Sequence, residues 1–143
     1  MTHSPIASLE TFRALLAAYR LPRVIVTALE LNVFTTMGSG AWSVPKLAQA
    51  LDVSRRGLDI LCRNLAMSGL LIKRGKLYRN TPFSATVLNA THSKYRGAYL
   101  ELMQRQWEDW SQLTQAVRSG CPLDRDKPDS PAYRRQFTWA MHH

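Results

Sequence analysis

The sequence lacks several features that define common classes of protein. Its two cysteines are too few for a disulfide framework. No apolar run approaches the roughly 18 residues of a membrane span, and the opening residues lack the basic and then apolar pattern of a secretion signal. The lone Gly-x-Gly, at residues 38–40, does not follow a predicted strand as a nucleotide-binding loop would. We therefore expect a cytoplasmic protein with no membrane span.

Side chains suited to catalysis or metal binding are also sparse. None of the four histidines has a cysteine or carboxylate at metal-ligand spacing. No serine, cysteine or lysine has a base placed beside it by helical spacing, so no nucleophile is assigned. Cys62 falls on the apolar face of a predicted helix and is interpreted as a core residue, and Cys121 as a free surface thiol. We expect no catalytic, cofactor-binding or metal-binding residue in this chain.

Residues 43–80 carry local signals that agree with one another. Ser43 is placed to cap a short helix, and Ser54 is placed to cap a second one. Gly69 follows the second helix, at the position where a residue with left-handed backbone commonly ends a helix. The second helix has apolar residues at spacings of three, four and seven, which stacks them on one face. These residues are Leu58, Leu61, Cys62 and Leu65.

A small β unit follows these two helices. Residues 70–72 have the composition of a strand, residues 74–76 that of a turn, and residues 77–78 begin a returning strand. Helix, turn, helix and two-stranded wing together predict a winged helix-turn-helix. The fold class expected is therefore mostly α, with a small two-stranded β wing, N-terminal flanking helices and a long C-terminal helix.

Two predicted helices precede the winged helix, at residues 8–19 and 24–31, with Pro22 restarting the chain between them. The first is amphipathic with a wide apolar stripe, and the second is apolar on most sides. Helices that are apolar all round are buried in a core or against a partner. We favour a homodimer formed through these helices over simple packing on the winged helix. The residues expected at the interface are Leu9, Phe12, Leu16, Tyr19, Val24, Ile25 and Leu29.

The C-terminal part is predicted to hold one long helix, at residues 95–119, ended by Gly120. Its aromatic stripe includes Trp107 and Trp110, for which core packing is the ordinary role and ligand stacking the alternative. Residues 120–131 have the proline-rich, charged composition of a linker. A last helix begins near residue 132 and is still running at residue 143. We expect a winged-helix dimerisation domain at residues 1–119, a linker, and a helix leading to a further domain.

The net charge of +9 is concentrated on the winged helix, where residues 43–80 hold eight Lys/Arg against two Asp/Glu. A free-standing dimeric DNA-binding regulator is therefore the competing hypothesis. Against it, Asp59 lies in the middle of the exposed helix face, can pair with the neighbouring arginines, and would repel phosphate. Ile60 beside it offers no chemistry for reading bases. The DNA contacts on this hypothesis would be Arg55, Arg56, Lys73, Arg74, Lys76 and Arg79.

A specific resemblance covers about residues 28–90. The run LELNVFTTM, followed by SVPKLAQALDVSRRGLDILCRNLAMSGLLIKRGKLYRNTPFSATVL, resembles the N-terminal dimerisation region of S-adenosylmethionine-dependent O-methyltransferases. The shared pattern includes "L-x-x-L-x-R-x-L-x-x-x-GLL" and "Y-x-x-T-P-x-S". Lys46 departs from it, because an acidic residue is frequent there. The family's Rossmann-like catalytic domain and its general base have no counterpart in these 143 residues.

The resemblance implies a homodimer, an S-adenosylmethionine cofactor held by the catalytic domain, and a small-molecule acceptor. The tail FTWAM resembles a helix that carries a Phe and a Met at the mouth of the active site. Phe137 and Met141 are one turn apart and would face the acceptor ring; packing against the further domain is the equal alternative. The acceptor pocket implied comprises Phe137, Met141, Trp107 and Trp110. The chain by itself is expected to be inactive.

Overall fold

The computed structural model describes residues 7–97, 99, 107, 110–121 and 138. They form a mostly helical winged helix-turn-helix with a small antiparallel sheet, which confirms the predicted fold class. The elements in chain order are α1 (Leu9–Ala17), α2 (Arg20–Glu30), α3 (Val33–Met37), β1 (Trp42–Ser43), α4 (Val44–Leu51), α5 (Arg55–Met67), β2 (Leu71–Arg74), β3 (Leu77–Asn80), α6 (Pro82–Val87) and α7 (Leu113–Ser119).

The helix-turn-helix unit is formed by α4 and α5, and its boundaries follow from local chemistry. The Ser54 hydroxyl accepts from the Gly57 N–H at 3.4 Å, which satisfies one of the unpaired N–H groups of the first turn of α5. Asp52 takes the left-handed conformation (φ 52°) that ends α4, and Gly69 takes it (φ 73°) after α5. Ser43 occupies the cap position of α4, but its side chain makes no capping hydrogen bond.

The sheet has three strands in the order β1-β3-β2, all antiparallel. The wing hairpin pairs Lys73 with Tyr78 and Arg74 with Leu77. The third strand, β1, was not predicted, because two residues are too few to show a strand period. It pairs Trp42 with Tyr78 and thereby joins the wing to the start of α4.

The core lies where α3, α4, α5 and the sheet meet. Its largest fully buried side chains include Phe34, Met37, Leu47, Leu65 and Cys62. Helix α3 supplies two of them, although the sequence analysis predicted no helix there. Its five residues include two β-branched threonines, so the helical signal is weak, and packing rather than propensity holds the segment helical.

Two buried polar side chains connect elements that are distant in sequence. The Asn80 amide donates to the Phe34 carbonyl at 2.8 Å and to the Gly38 carbonyl at 2.9 Å, which ties β3 to the end of α3. The Ser84 hydroxyl donates to the Leu70 carbonyl at 2.6 Å. Ser84 also forms a reciprocal capping box with Thr81 at the start of α6. These bonds explain why the "T-P-x-S" motif occurs directly after the wing.

Two helix boundaries differ from the predictions. Pro22 does not restart the chain but lies in the first turn of α2, where a missing N–H breaks no helical hydrogen bond. The predicted long helix has helical backbone at Gly97, Tyr99, Trp107 and Trp110. It is interrupted at Gln112 (φ −96°, ψ 4°) before α7, and α7 ends at the left-handed Gly120 as predicted. The predicted linker beyond residue 121 and most of the last helix lie outside the described residues.

Candidate dimerisation surface

Helix α1 begins at a well-made cap. The Ser8 hydroxyl accepts from the Thr11 N–H at 3.1 Å. None of the helix's residues is buried. Four apolar side chains, all predicted at the interface, keep between 42% and 62% of their surface exposed. They are Leu9, Phe12, Leu16 and Tyr19. Leu15 beside them is 51% exposed. A row of large exposed apolar side chains is typical of a surface that contacts another protein.

The other three predicted interface residues lie in α2 and are more enclosed. Val24 and Ile25 are partly buried and pack against the core cluster. Leu29 is buried within that cluster, so its side chain is already covered by its own chain. The structure thus separates the seven predicted residues into an exposed row on α1 and a set that packs on the winged helix.

The junction between α1 and α2 fixes the direction in which α1 runs. Ala18 (φ −61°, ψ −26°) and Tyr19 (φ −66°, ψ −20°) both have right-handed helical backbone. The Arg23 N–H donates to the Tyr19 carbonyl at 3.2 Å, so α2 continues from this residue. The Tyr19 ring lies 5.7 Å from the Trp107 ring, tilted by 50°. Helix α1 therefore continues away from α2 rather than folding back over it.

A groove of about 580 Å³ runs between α2 and α5, which we call the α2–α5 groove. Its walls are mainly apolar, with Arg20 and Arg23 at the α2 side. Arg23 is paired with Glu30 at 3.5 Å. The sequence did not predict this groove, because its width depends on the spacing of two helices. The sequence feature that could have indicated the groove is the adjacent apolar pair Ile60 and Leu61 on α5. The groove is lined by Val24 and Thr27 of α2, by Leu31 directly after α2, and by Gly57, Ile60 and Leu61 of α5.

The residues predicted for an acceptor pocket are only partly described. Trp107 and Trp110 are both exposed, and Trp107 contacts Tyr19 at the α1–α2 junction. Phe137 and Met141 lie outside the described residues. The pocket predicted from the four side chains therefore stays a prediction.

The six basic residues proposed as DNA contacts are all exposed, two on α5 and four on the wing. Their surroundings do not favour base reading. Asp59 lines the same cleft as Arg55 and Arg56, and it forms an ion pair with Arg63. The Lys73 ammonium lies 5.5 Å from the centre of the Tyr78 ring. The carboxylate among the arginines offsets the positive field on the helix that would enter the groove of DNA.

The part of the chain that the structure describes offers little other chemistry. There, no cluster of His, Cys, Asp or Glu could hold a metal ion, and no helix is long and apolar enough to cross a membrane. Cys62 is fully buried, and burial, with a smaller contribution from the Asp59 carboxylate, raises the pKa of its thiol from 9.0 to about 11. Cys121 is exposed and free. A buried thiol with a raised pKa is an inert core residue, as predicted.

Fold and surface together define a winged-helix domain whose N-terminal helix has no buried side chain. The family model for the O-methyltransferase dimerisation domain matches residues 14–90, and the chain belongs to that family. It is 31% identical over 116 residues to the 3-hydroxy-5-methyl-1-naphthoate 3-O-methyltransferase of Streptomyces sahachiroi, covering 80% of this chain and 33% of that enzyme. The resemblance stated from the sequence is confirmed.

Solved structures agree with this assignment. An O-methyltransferase family protein from Burkholderia thailandensis superposes with a TM-score of 0.84 at 26% identity, over 95% of this chain and 42% of that one. Human N-acetylserotonin methyltransferase, solved with S-adenosylmethionine, superposes with a TM-score of 0.76 over 99% of this chain and 46% of that one. At 24% identity, it shows the fold alone. The chain spans about a third of the length of the curated relatives it matches. None of these comparisons supports the DNA-binding regulator.

Proposed function

We propose that this chain is the dimerisation and acceptor-pocket part of an S-adenosylmethionine-dependent small-molecule O-methyltransferase, which acts as a homodimer in the cytoplasm. Residues 1–119 form the dimerisation domain, residues 120–131 the linker, and residues 132–143 the start of a helix that leads to a Rossmann-like catalytic domain. The observation that carries the proposal is the exposed apolar row on α1, in a chain that belongs to a family of dimerisation domains.

The described residues do not fit S-adenosylmethionine. The Gly-x-Gly segment at residues 38–40 follows helix α3 and leads into the two-residue strand β1, whereas a nucleotide loop lies between a strand and a helix. We therefore assign the cofactor, and the base that removes the acceptor's proton, to the catalytic domain. No step of methyl transfer is assigned to this chain.

The contribution proposed for this chain is to hold the two subunits and the acceptor in fixed positions. Dimerisation holds two copies in a fixed relation, and Trp107 lies against Tyr19 at the base of α1. Trp110, Phe137 and Met141 complete the proposed wall of the acceptor pocket. Apolar, mainly aromatic side chains of this kind suit an aromatic acceptor and exclude water from the reacting oxygen. The subunit interface and the pocket wall would thus share the same helices.

The dimer is tested by sedimentation velocity between 1 and 100 μM. We expect a dimer, and we expect Leu16→Glu to weaken it at least 100-fold because the substitution places a charge in the apolar row. Ala14→Glu is the matched control, because residue 14 lies on the opposite side of the same exposed helix; it should dissociate like the wild type. A wild-type chain that is monomeric at 100 μM would refute the proposed dimer.

The enzyme assignment is tested separately by sequencing the coding region that follows the codon for residue 143. A strand, a glycine-rich loop and a helix within about 50 residues would support it. An open reading frame that stops there, together with submicromolar and steeply salt-dependent binding to mixed duplex DNA, would overturn it in favour of a regulator.

A further inference from the structure

We infer that the outward side of the wing is a docking surface for a second protein, which presents an acidic helix to it. This side, which we call the wing face, consists of Ile72 and Arg74 of β2 and Leu77 and Arg79 of β3. It lies on other elements than the exposed apolar row of α1. The inference therefore goes beyond the proposed function and does not depend on the dimer.

Acidic residues are absent from the wing and from its neighbours in the sequence. Residues 60–100 contain seven Lys/Arg and no Asp/Glu. The ion pair of Arg23 with Glu30 lies on α2, and that of Asp59 with Arg63 lies on α5. Protein surfaces ordinarily mix charges of both signs. A stretch with charges of one sign leaves the wing with a positive field, which attracts an acidic partner.

Strand pairing alternates charged and apolar side chains on the wing face. Ile72 pairs with Arg79 and Arg74 pairs with Leu77, and residues directly opposite each other in an antiparallel pair point to the same side. The two arginines are therefore diagonal neighbours, with Cα atoms about 7–8 Å apart. Leu77, which is 44% exposed, and the half-buried Ile72 occupy the other diagonal. Two cations thus flank an apolar centre.

The wing face is held in position from behind. Tyr78 and Asn80 alternate with the exposed Leu77 and Arg79 along β3, and both are buried. The Asn80 amide donates to the Phe34 carbonyl at 2.8 Å, and β3 is paired on both sides, with β1 and with β2. A surface that is fixed before binding loses less conformational entropy when a partner binds.

A helix with two carboxylates one turn apart fits this arrangement. Side chains at i and i+4 of a helix have Cβ atoms about 5–6 Å apart and point the same way, which is close to the diagonal spacing of Arg74 and Arg79. Each guanidinium can bind one carboxylate in a bidentate pair. An apolar side chain at i+3 of the same helix would contact Leu77. Arginines around an apolar centre are a composition typical of protein–protein interfaces.

Other anionic partners match the wing face less well. Surfaces that enter a membrane carry exposed Trp, Phe or Leu in number, whereas the single aromatic residue of the hairpin, Tyr78, is buried with the Lys73 ammonium over its ring. Contacts to DNA phosphates are made by polar and charged groups, so they would leave Leu77 and Ile72 without a role. The wing of a second copy would bring the same positive charges and would be repelled.

The probe for this surface is a fluorescein-labelled synthetic helix of about 20 residues. It carries glutamates at i and i+4 and a leucine at i+3 of each repeat, and a control peptide of the same charge has glutamine in place of each leucine. Fluorescence anisotropy is measured as the chain is added in 50 mM and in 250 mM NaCl. We expect a micromolar Kd at low salt, and binding at least fivefold weaker at high salt or with the control peptide.

Two charge-reversed variants test whether the wing face is the site. Arg74→Glu combined with Arg79→Glu should weaken binding of the probe at least 20-fold. Arg55→Glu combined with Arg56→Glu makes the same change in net charge at exposed positions of α5 and should leave the Kd within threefold. Leu77→Thr changes no charge and keeps a residue that suits a strand, and it should weaken binding at least fivefold. Circular dichroism checks that each variant is folded.

Equal losses in the two charge-reversed variants would show that the probe responds only to net charge, and they would refute the wing face as the site. Equal binding of the control peptide, or no binding at low salt, would refute the docked helix. Tighter binding of short mixed duplex DNA, or of vesicles with 30% phosphatidylserine, would assign the wing to nucleic acid or to a membrane and overturn the inference. A monomeric wild type would refute the proposed dimer without changing these outcomes, because a monomer also carries the wing face.

Discussion

Replacing Asn80 by aspartate changes one amide group and tests whether a single side chain holds the wing to the core. The Asn80 side chain is buried, and its amide nitrogen donates to the carbonyls of Phe34 and Gly38. A carboxylate of the same shape cannot donate either bond. It would instead place negative charge against two carbonyl oxygens in a site shielded from water.

The magnitude follows from these contacts. Each lost hydrogen bond to a buried carbonyl costs about 1 kcal/mol or somewhat more. The Phe34 carbonyl keeps a second partner, the Gly38 N–H at 3.1 Å. Loss of the Asn80 bond to this carbonyl should therefore cost no more than about 1 kcal/mol. Keeping the introduced carboxyl neutral at pH 7 adds a further cost of about 1.4 kcal/mol for each pH unit above its pKa in the unfolded chain. With an unfolded pKa of about 3.9, this further cost is about 4 kcal/mol at pH 7, so we expect a total loss of about 6 kcal/mol there.

The loss should depend on pH in a definite direction. Burial and the neighbouring carbonyls raise the pKa of the introduced carboxyl above its unfolded value of about 3.9. The folded variant then binds more protons than the unfolded one, so its stability falls as pH rises. The difference between wild type and Asn80→Asp should therefore shrink to about 2 kcal/mol at pH 4, where mainly the hydrogen-bond loss remains.

Urea denaturation followed by circular dichroism measures both effects, at pH 4, 5.5 and 7. Asn32→Asp is the matched control, because residue 32 is exposed and already has left-handed backbone (φ 56°) that aspartate tolerates. It should change the free energy of unfolding by less than about 0.5 kcal/mol. A loss below 1 kcal/mol for Asn80→Asp at pH 7, or a loss that grows as pH falls, would show that Asn80 does not hold the wing as described.

The remaining predictions concern buried hydroxyl and thiol groups. Ser84→Ala removes the 2.6 Å bond to the Leu70 carbonyl and one half of the capping box, so it should lower the free energy of unfolding in urea by about 2 kcal/mol. Thr86→Ala removes a 2.8 Å bond at the surface and should lower it by less than about 0.5 kcal/mol. Equal losses would contradict the role of burial. Ellman's reagent at pH 8 should label Cys121 at once and Cys62 only after unfolding. Burial raises the pKa of Cys62 in the folded chain from 9.0 to about 11. The stability that Cys62 contributes should therefore be complete below pH 9 and lost as pH rises to about 11. Cys62→Ala should lack this loss, and identical pH profiles of stability for the two proteins would contradict the raised pKa.

The winged helix could be predicted because its signals are local. Ser54, Gly69 and the turn at Gly75 act within a few residues of their own positions, and the conformations observed there are those that their chemistry favours. The apolar face of α5 likewise depends only on helical spacing. A single sequence is sufficient for such features.

The features that were not predicted depend on distant residues. Helix α3 and strand β1 are too short to show a period, and they are held by contacts such as that of Asn80 with Phe34, 46 residues away. The α2–α5 groove depends on how far apart two helices pack. The row on α1 was predicted, but a pattern alone did not separate Leu16, which is exposed, from Leu29, which its own core covers.

The strand order gives the basic residues of the wing a part in preventing aggregation. Because β3 is central, β2 is an open edge of the sheet, and it carries Lys73 and Arg74, both exposed. The opposite edge, β1, is only two residues long. Lysines and arginines on an open edge, and very short edge strands, discourage the addition of strands from neighbouring molecules. At high concentration this sheet should therefore resist growth into aggregates by addition of strands.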